Sequence, residues 1–178
     1  MSLLEIFAER LREAGGTVSI HRELDEAVTY ALRKLGSGSI IGVKVPENIA
    51  GMLERRCVQL LGMDAHRLLD RSRLIEAEAS IGFADAGVAE TGSILYLTRT
   101  VDEEAAIFSP ETHITILNSN LILPTLEDLS DKLYTALSTG LSAYLITGPS
   151  STGDIEGEIV VGAHGSRFLH VAIYGGDE

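Results

Sequence analysis

The sequence is poor in the residues that build metal clusters and disulfides. It contains one cysteine, Cys57, no tryptophan and 5% aromatic residues. A single thiol excludes an internal disulfide, and it excludes a cluster ligated only by cysteines of this chain. Cys57 falls with Ile49 and Leu53 on the apolar face of an expected helix, which favours a buried, inert thiol. Scattered histidines with Asp or Glu could in principle hold a metal, but no short ligand spacing supports such a site, and there is no dinucleotide fingerprint. We therefore expect neither a metal nor a cofactor held by this chain.

Positive charge is also scarce. There are 14 Lys and Arg residues against 26 Asp and Glu residues, which gives a net charge of −12. Nucleic acids and anionic membrane surfaces bind basic patches, so the sequence predicts neither as a partner. The first residues show no basic start followed by an apolar core, and no apolar run is long enough to cross a bilayer. We expect a cytoplasmic protein whose acidic surface aids solubility.

Apolar residues are abundant and regularly spaced. They make up 45% of the chain, enough for one domain over residues 1–178 with a real core. Helical patterns, the first opened by a capping box at Ser2 and Glu5, alternate with short apolar strands. This alternation predicts an α/β fold with a mostly parallel sheet.

Some segments carry specific expectations. One helix is expected from Pro46 to about Leu61, and a charged helix at 64–73, while the pattern from 74 to 80 is ambiguous. A later helix begins at Thr125, and its inward-facing leucines are predicted to be Leu126, Leu129, Leu133 and Leu137. The last two strands, 159–161 and 168–173, are joined too closely for a parallel crossover, so an antiparallel pair is expected.

The segment 143–174 has the composition of a ligand-binding shelf. An apolar strand at 143–146 ends at Gly148 and Pro149, where glycine frees the backbone and proline fixes φ. Ser150, Ser151, Thr152 and Asp154 follow, and residues of these types can cap a helical turn whose free N–H groups attract anions. Tight turns gather the same residues without any ligand. Spacing alone leaves both interpretations open.

The order of the residues in this segment is more informative about its family than the composition is. GPSSTGDIE at 148–156, GAHG at 162–165 and LHV at 169–171 resemble the closing signature of the LUD-domain family, of the lactate-utilisation protein C type. ADAGVAETGS at 84–93 and SPETHI at 109–114 are similar to two earlier family segments. Departures from the usual family residues are Phe83, Ser93 (which keeps the hydroxyl of the usual threonine) and Ser166 (where proline is usual).

The resemblance implies a fold and a role. It implies a three-layer α/β/α sandwich like that of sugar-phosphate isomerases and coenzyme A transferases. The motifs occupy about 81–174, and helices at about 2–35 pack on them. The family is implied in oxidising L-lactate to pyruvate beside iron–sulfur partner proteins. This chain would then be an accessory subunit that binds a small anion, a carboxylate or a phosphate. Homo-oligomerisation stays open.

Two residues are candidates for catalysis. Glu90 lies beside a glycine turn, and the coenzyme A transferases of this fold use a glutamate followed closely by glycine. Its structural alternative is a carboxylate that accepts backbone N–H bonds. His164 lies in a glycine-flanked turn and is suited to proton transfer near neutral pH. Among the other histidines, His170 fits a hydrogen-bonded core position and His113 is intermediate.

The expected binding residues come from the two glycine turns. They are Thr91, Gly92, Ser93, Gly148, Ser150, Ser151, Thr152 and Asp154. Together with His164 they are predicted to converge on one cleft, and Asp154→Ala and His164→Ala are expected to weaken ligand binding without unfolding the domain. Two other functions remain open. One is a stand-alone acyl or coenzyme A transferase, or a sugar-phosphate isomerase, that uses Glu90. The other is a non-catalytic scaffold.

Overall fold

The computed structural model describes residues 1–56, 58–61, 76–152, 160–161 and 165–175. Its main feature is a six-stranded sheet in which every pair of neighbouring strands is parallel. In spatial order the strands are β1 (Thr17–His21), β12 (Phe168–Tyr174), β7 (Thr112–Asn118), β4 (Ala79–Phe83), β2 (Ile40–Val43) and β3 (Gln59–Leu61).

A second, four-stranded sheet is mixed. Its strands are β8 (Ile122–Leu123), β5 (Ala86–Val88), β6 (Ser93–Thr98) and β9 (Ser142–Ile146). β6 is antiparallel to β5 and β9, while β5 and β8 are parallel. β10 (Ser151–Thr152) and β11 (Val160–Val161) form a separate antiparallel pair.

The helices that pack on the six-stranded sheet are α1 (Leu3–Glu13), α2 (Leu24–Leu35), α3 (Glu47–Glu54) and α4 (Val101–Phe108). The helix α5 (Ser130–Ser138) packs instead on β9 of the four-stranded sheet. Short 3-10 turns occupy Ser119–Leu121 and Glu127–Leu129. Among the described residues, no helix is long and apolar enough to cross a membrane.

The core lies on both faces of the six-stranded sheet, because successive strand residues point to opposite sides. α2 and α3 pack Val28 and Leu53 into a cluster with Ile81 and Ile114, among others. On the other face, α1 and α4 pack against the sheet in a cluster that includes Phe7, Leu11, Ile41, Tyr96, Ile107 and Val171. Apolar layers on both faces give the expected α/β architecture, with a mostly parallel sheet at its centre.

Local signals at the amino end of the chain are confirmed. Ser2 Oγ accepts the Glu5 N–H at 3.2 Å, and the Glu5 carboxylate accepts the Ser2 N–H at 2.6 Å, so the capping box starts α1 as predicted. α2 and β1 also lie where the spacing of apolar residues placed them.

Several sequence expectations about strands and helices are wrong. The helix expected from Pro46 to Leu61 ends at Glu54, and Gln59–Leu61 pairs with β2 as strand β3 instead. The last two strands are not an antiparallel pair: β11 pairs with β10, while β12 enters the main sheet in parallel between β1 and β7. The short connection between β11 and β12 suggested that these two strands pair, but β12 pairs with strands that are distant in sequence.

The later helix is also shorter and less buried than expected. The 3-10 turn begins only at Glu127, two residues after Thr125, and α5 starts only at Ser130. Leu129 is buried, but Leu126 is 42% and Leu137 59% exposed, so these two leucines do not face inward. The helical turn expected after Gly148 begins as strand β10. The remainder of that turn, together with Cys57 and the charged helix at 64–73, lies outside the described residues.

Candidate functional site

The two predicted glycine turns are neighbours in the fold. β6 and β9 run antiparallel with Ile94 opposite Ile146, which places the residues before β6 next to those after β9. Ser93 Oγ lies 2.5 Å from Thr147 Oγ1 and 2.7 Å from Thr91 Oγ1. A chain of three hydroxyls therefore joins the Glu90 turn to the Gly148 turn.

The glycines of both turns pack against the end of α1. Gly92 and Gly148 have φ of 67° and 77°, which other residues adopt only with strain. A Cβ on Gly92 would meet the backbone of Arg10 and Leu11, and one on Gly148 would meet the carbonyl of Ala14. The carboxyl end of a helix is its negative end. These two glycines therefore allow close backbone packing, and the end of α1 beside them does not attract an anion.

Glu90 makes the contact expected of a structural residue, because its carboxylate accepts a backbone N–H. Its carboxylate accepts the Leu126 N–H at 3.1 Å, and its own N–H donates to the Pro124 carbonyl at 3.0 Å. The side chain is exposed. Glu90, Thr91 and Gly92 are absent from the described linings of the two cavities that follow.

An inner cavity of about 310 Å³ lies between the Gly148 turn and Gly165–Ser166. Its lining residues are Ile107, Phe108, His113, Leu145, Ile146, Thr147, Gly148, Pro149, Ser150, Ser151, Gly165, Ser166 and Leu169. The Ser150 N–H donates to the Ser166 carbonyl at 3.0 Å and holds the two walls together. Ser166 Oγ donates to the Ile107 carbonyl at 3.2 Å, so the serine that replaces the usual proline ties this wall to α4.

His113 forms part of the floor of the inner cavity and is fully hydrogen-bonded. Its Nδ1 lies 2.7 Å from Ser80 Oγ, and its Nε2 lies 3.0 Å from the Tyr96 hydroxyl. Because Tyr96 donates to Thr115 at 3.0 Å, we assign the imidazole proton to Nε2, with Ser80 donating to Nδ1. Burial lowers the pKa of His113 to about 3 and raises the pKa of Tyr96. Both groups are uncharged at neutral pH.

An outer cavity of about 780 Å³ adjoins the inner one and shares Pro149, Ser151 and Leu169 with it. Its other lining residues are Glu13, Ala14, Gly15, Thr17, Lys34, Thr112, Arg167, Phe168 and His170. Thr17, Thr112 and Phe168 are the first residues of β1, β7 and β12. The cleft formed by both cavities therefore opens at the amino ends of three adjacent strands.

His170 has the core role that the sequence indicated. Its Nδ1 lies 2.8 Å from Thr17 Oγ1 and its Nε2 2.9 Å from Ser19 Oγ, with the Tyr30 ring 5.3 Å away. Burial, followed by the nearby charge of Lys34, lowers the pKa of His170 to about 4. His170 therefore adds no charge to the outer cavity at neutral pH.

Some predicted site residues cannot be placed in this geometry. Asp154 and His164 lie outside the described residues, and Thr152 is described as part of β10. Ser150, Ser151 and Gly148 border the inner cavity as a group, and Gly165, which follows His164, contributes to the same wall. Among the described residues, no group of three or more His, Cys, Asp and Glu side chains could hold a metal ion.

An ion pair that the sequence did not suggest lies at the carboxyl ends of the strands, opposite the cleft. Lys44 follows β2 with a φ of 55°, and its Nζ donates at 2.6 Å to both Asp85 Oδ2 and the Leu97 carbonyl. Asp85 Oδ2 also accepts the Leu97 N–H at 2.8 Å. Ligands of open α/β sheets usually bind at this carboxyl edge. Here the pair links β2 of the large sheet to β6 of the smaller one.

Taken together, the elements define an α/β protein with a mostly parallel central sheet and a two-part cleft at its amino edge. The LUD domain model matches residues 4–174, so the chain belongs to the LUD domain family. The fold agrees with this assignment. A solved structure of a DUF162 family protein from Deinococcus radiodurans superposes with a TM-score of 0.68 at 19% identity, covering 98% of this chain and 99% of that one.

The chain is similar to several curated proteins over part of their length. It is 28% identical over 148 residues to the uncharacterized protein YkgG of Escherichia coli (strain K12), covering 79% of this chain and 64% of that protein. It is 31% identical over 94 residues to the lactate utilization protein C of Geobacillus kaustophilus, covering 51% and 39% respectively. For the protein of that name from Halalkalibacterium halodurans, identity is 24% over 151 residues, covering 80% and 65%. The chain thus spans less than two thirds of these relatives.

Proposed function

We propose that this LUD-domain chain acts in lactate utilisation as a subunit that binds a small organic acid. L-Lactate or its oxidation product pyruvate would occupy the inner cavity. Relatives named lactate utilization protein C support the pathway. The observation that carries the site is the cavity of about 310 Å³ that the Gly148 turn and Gly165–Ser166 border.

The inner cavity suits a small acid in size and chemistry. Its volume lies at the lower end of the range of small-molecule pockets. The hydroxyls of Thr147, Ser150 and Ser151 border it and supply donors for carboxylate oxygens, while Ile107 and Phe108 supply apolar walls. His113 is neutral with both ring nitrogens engaged, so it shapes the cavity and does not act as a base.

The electrons of the reaction would go to a partner. Oxidation of lactate to pyruvate removes two electrons and two protons, which need an acceptor. With one cysteine, the 178 residues supply no four-cysteine iron–sulfur cluster. We therefore propose an iron–sulfur oxidoreductase as partner, with this chain holding the acid.

The contacts of Glu90 do not favour the rival function. A transferase that uses Glu90 as nucleophile needs its carboxylate free beside the substrate, whereas this carboxylate accepts the Leu126 N–H. A thermal-shift screen with coenzyme A esters and sugar phosphates separates the two functions, since stabilisation by a coenzyme A ester that Glu90→Gln abolishes would support the transferase. A non-catalytic scaffold would bind none of these compounds, and no organic acid either.

Calorimetric titration with L-lactate and pyruvate tests the proposal. We expect wild-type protein to bind at least one of them, and Ser150→Ala to weaken binding by up to about tenfold, because one hydroxyl hydrogen bond is lost. Ser138→Ala is the matched control: its hydroxyl is exposed on α5 and bonds the Thr135 carbonyl. Asp154→Ala and His164→Ala should weaken binding as well, with unchanged circular dichroism spectra. If neither acid binds wild-type protein at a concentration of about 10 mM, the binding free energy is weaker than about 3 kcal/mol, and the proposal is contradicted.

A further inference from the structure

The outer cavity has a charge opposite to that of the chain around it. The protein carries a net charge of −12, yet Lys34 from α2 and Arg167 before β12 both line this cavity. Glu13 is the acidic residue in the described lining, and its carboxylate lies 2.8 Å from the Arg10 guanidinium. His170 is neutral. The cavity therefore offers two cationic side chains, which face one carboxylate that already has a partner and the negative carboxyl end of α1 at Ala14 and Gly15.

Both cations are available to a ligand. Lys34 has no hydrogen bond or ion pair to any residue that the structure describes. Arg167 makes a long contact of 3.7 Å with Glu111, and both side chains are more than half exposed, so this pair contributes little. The charge of Lys34 reaches into the cavity, since it contributes to the low pKa of His170 on the cavity wall.

Aromatic and hydroxyl groups complete the lining. Phe168 is 54% exposed, and the Arg167 guanidinium lies 5.5 Å from its ring centroid. Thr17 Oγ1 is already bonded to His170, whereas Ser151 is exposed at the boundary with the inner cavity. Arginine binds phosphate oxygens through two parallel N–H bonds, and lysine binds them as a point charge. An exposed ring beside them can stack on a planar organic group.

We propose that the outer cavity binds a phosphorylated organic ligand of nucleotide size. Its phosphates would lie between Lys34 and Arg167, and its planar part against Phe168. The volume of about 780 Å³ exceeds what lactate or pyruvate needs and falls within the range of cofactor pockets. Lys34, Arg167 and Phe168 are absent from the described lining of the inner cavity. The wall that the two cavities share at Pro149, Ser151 and Leu169 would place the two ligands side by side.

Titration with adenosine diphosphate, inorganic pyrophosphate and adenosine tests the site, in a buffer free of phosphate. We expect the two anions to bind and their affinity to fall as salt is raised, while uncharged adenosine binds far more weakly. Lys34→Ala and Arg167→Ala should each weaken both anions by about tenfold, since each removes a charge-assisted contact.

Arg33→Ala is the matched control. Arg33 is exposed, lies in the same last turn of α2 as Lys34, and is absent from the described lining of the cavity. The same charge change there should alter affinity less than about twofold. Equal weakening by Arg33→Ala and Lys34→Ala would mean a general charge effect and would overturn the site, as would wild-type protein that binds neither anion at about 5 mM.

Two further measurements separate the parts of the proposal. Phe168→Ala should weaken the binding of adenosine diphosphate and leave the binding of pyrophosphate unchanged, and an equal loss for both would contradict the stacking role.

L-Lactate titrated into Lys34→Ala should bind as it does to wild type. If lactate fails to bind wild type while the phosphates bind, the organic-acid function falls and the phosphate site stands. If Lys34→Ala weakens lactate while phosphates do not bind, the outer cavity takes the carboxylate and this inference is wrong.

Discussion

His113 is a neutral imidazole held in the core by hydroxyl groups. Only 1% of its surface is exposed, and Ser80 and Tyr96 engage its two ring nitrogens. A proton added to this ring would place a charge in a buried site with no carboxylate hydrogen-bonded to it. The protein therefore stabilises the uncharged form, and this preference affects its stability.

The stability of the fold should depend on pH through His113. The unfolded chain binds the proton near pH 6.5 and the folded chain only near pH 3, so the stabilisation is complete above 6.5 and is lost as pH falls. Between pH 7 and 5 this one group should cost about 2 kcal/mol of unfolding free energy. His170, with a pKa of about 4, acts in the same direction.

Urea unfolding of wild type and His113→Gln at pH 7, 6 and 5 measures this contribution. Wild type should be the more stable protein at pH 7, and its advantage should shrink by about 2 kcal/mol at pH 5 because the substituted amide side chain does not titrate. A difference that stays constant across this range would show that the imidazole is protonated or solvated in the folded state.

Among the elements, the ends of β2 and β6 are held together by the Lys44–Asp85 pair. Both side chains are about one fifth exposed, at 21% and 22%, and Lys132 of α5 donates to the Asp85 carbonyl at 2.7 Å. The pair thus ties the six-stranded sheet, the four-stranded sheet and a helix at one point. Its partly buried position makes it more important for stability than a surface ion pair.

Lys44→Met should destabilise the protein by roughly 1 to 3 kcal/mol, because it leaves the Asp85 carboxylate partly buried without its partner. Glu111→Gln, which removes the exposed contact with Arg167, is the control and should cost less than about 0.5 kcal/mol. Urea unfolding gives both values. Similar costs for the two variants would show that the buried pair has no special role in joining the sheets.

Elements with strong local signals could be predicted from the sequence, whereas those that depend on distant partners could not. The Ser2–Glu5 cap and the apolar spacing of α2 are local, and both helices form as predicted. β3 has three residues whose apolar pattern continues that of α3, and only its pairing with β2 makes it a strand. β12 was misassigned for the same reason, because its neighbours β1 and β7 are remote in sequence.

The candidate site divides in the same way. The glycine- and serine-rich sequence at 148–151 indicated one wall of the inner cavity, and the structure places Gly165 against Ser150 of that wall. Lys34 and Arg167 lie in no motif, and only the folding of α2 onto β12 brings them to one cavity. Neither basic residue could be recognised as part of a site from the sequence, because its neighbours in the cavity come from distant parts of the chain.

On the scale of the whole molecule, excess negative charge opposes folding. With a net charge of −12, like charges crowd together in the compact state, and salt screens their repulsion. Raising sodium chloride from roughly 0.01 to 0.15 M in a phosphate-free buffer should raise the Tm by roughly 2 to 4 °C, the equivalent of about 1 kcal/mol. Differential scanning calorimetry measures this change. A fall in Tm would mean that favourable ion pairs outweigh the repulsion.

The position of β12 also bears on how the protein is made. This strand lies inside the large sheet, between β1 and β7, although it is the last strand of the chain that the structure describes. Thr17 and His170, which touch across the β1–β12 pair, are 153 residues apart. While the ribosome is still translating the intervening residues, β1 has no partner and one edge of β7 is open. The nascent chain must therefore keep these edges from other chains until synthesis reaches β12.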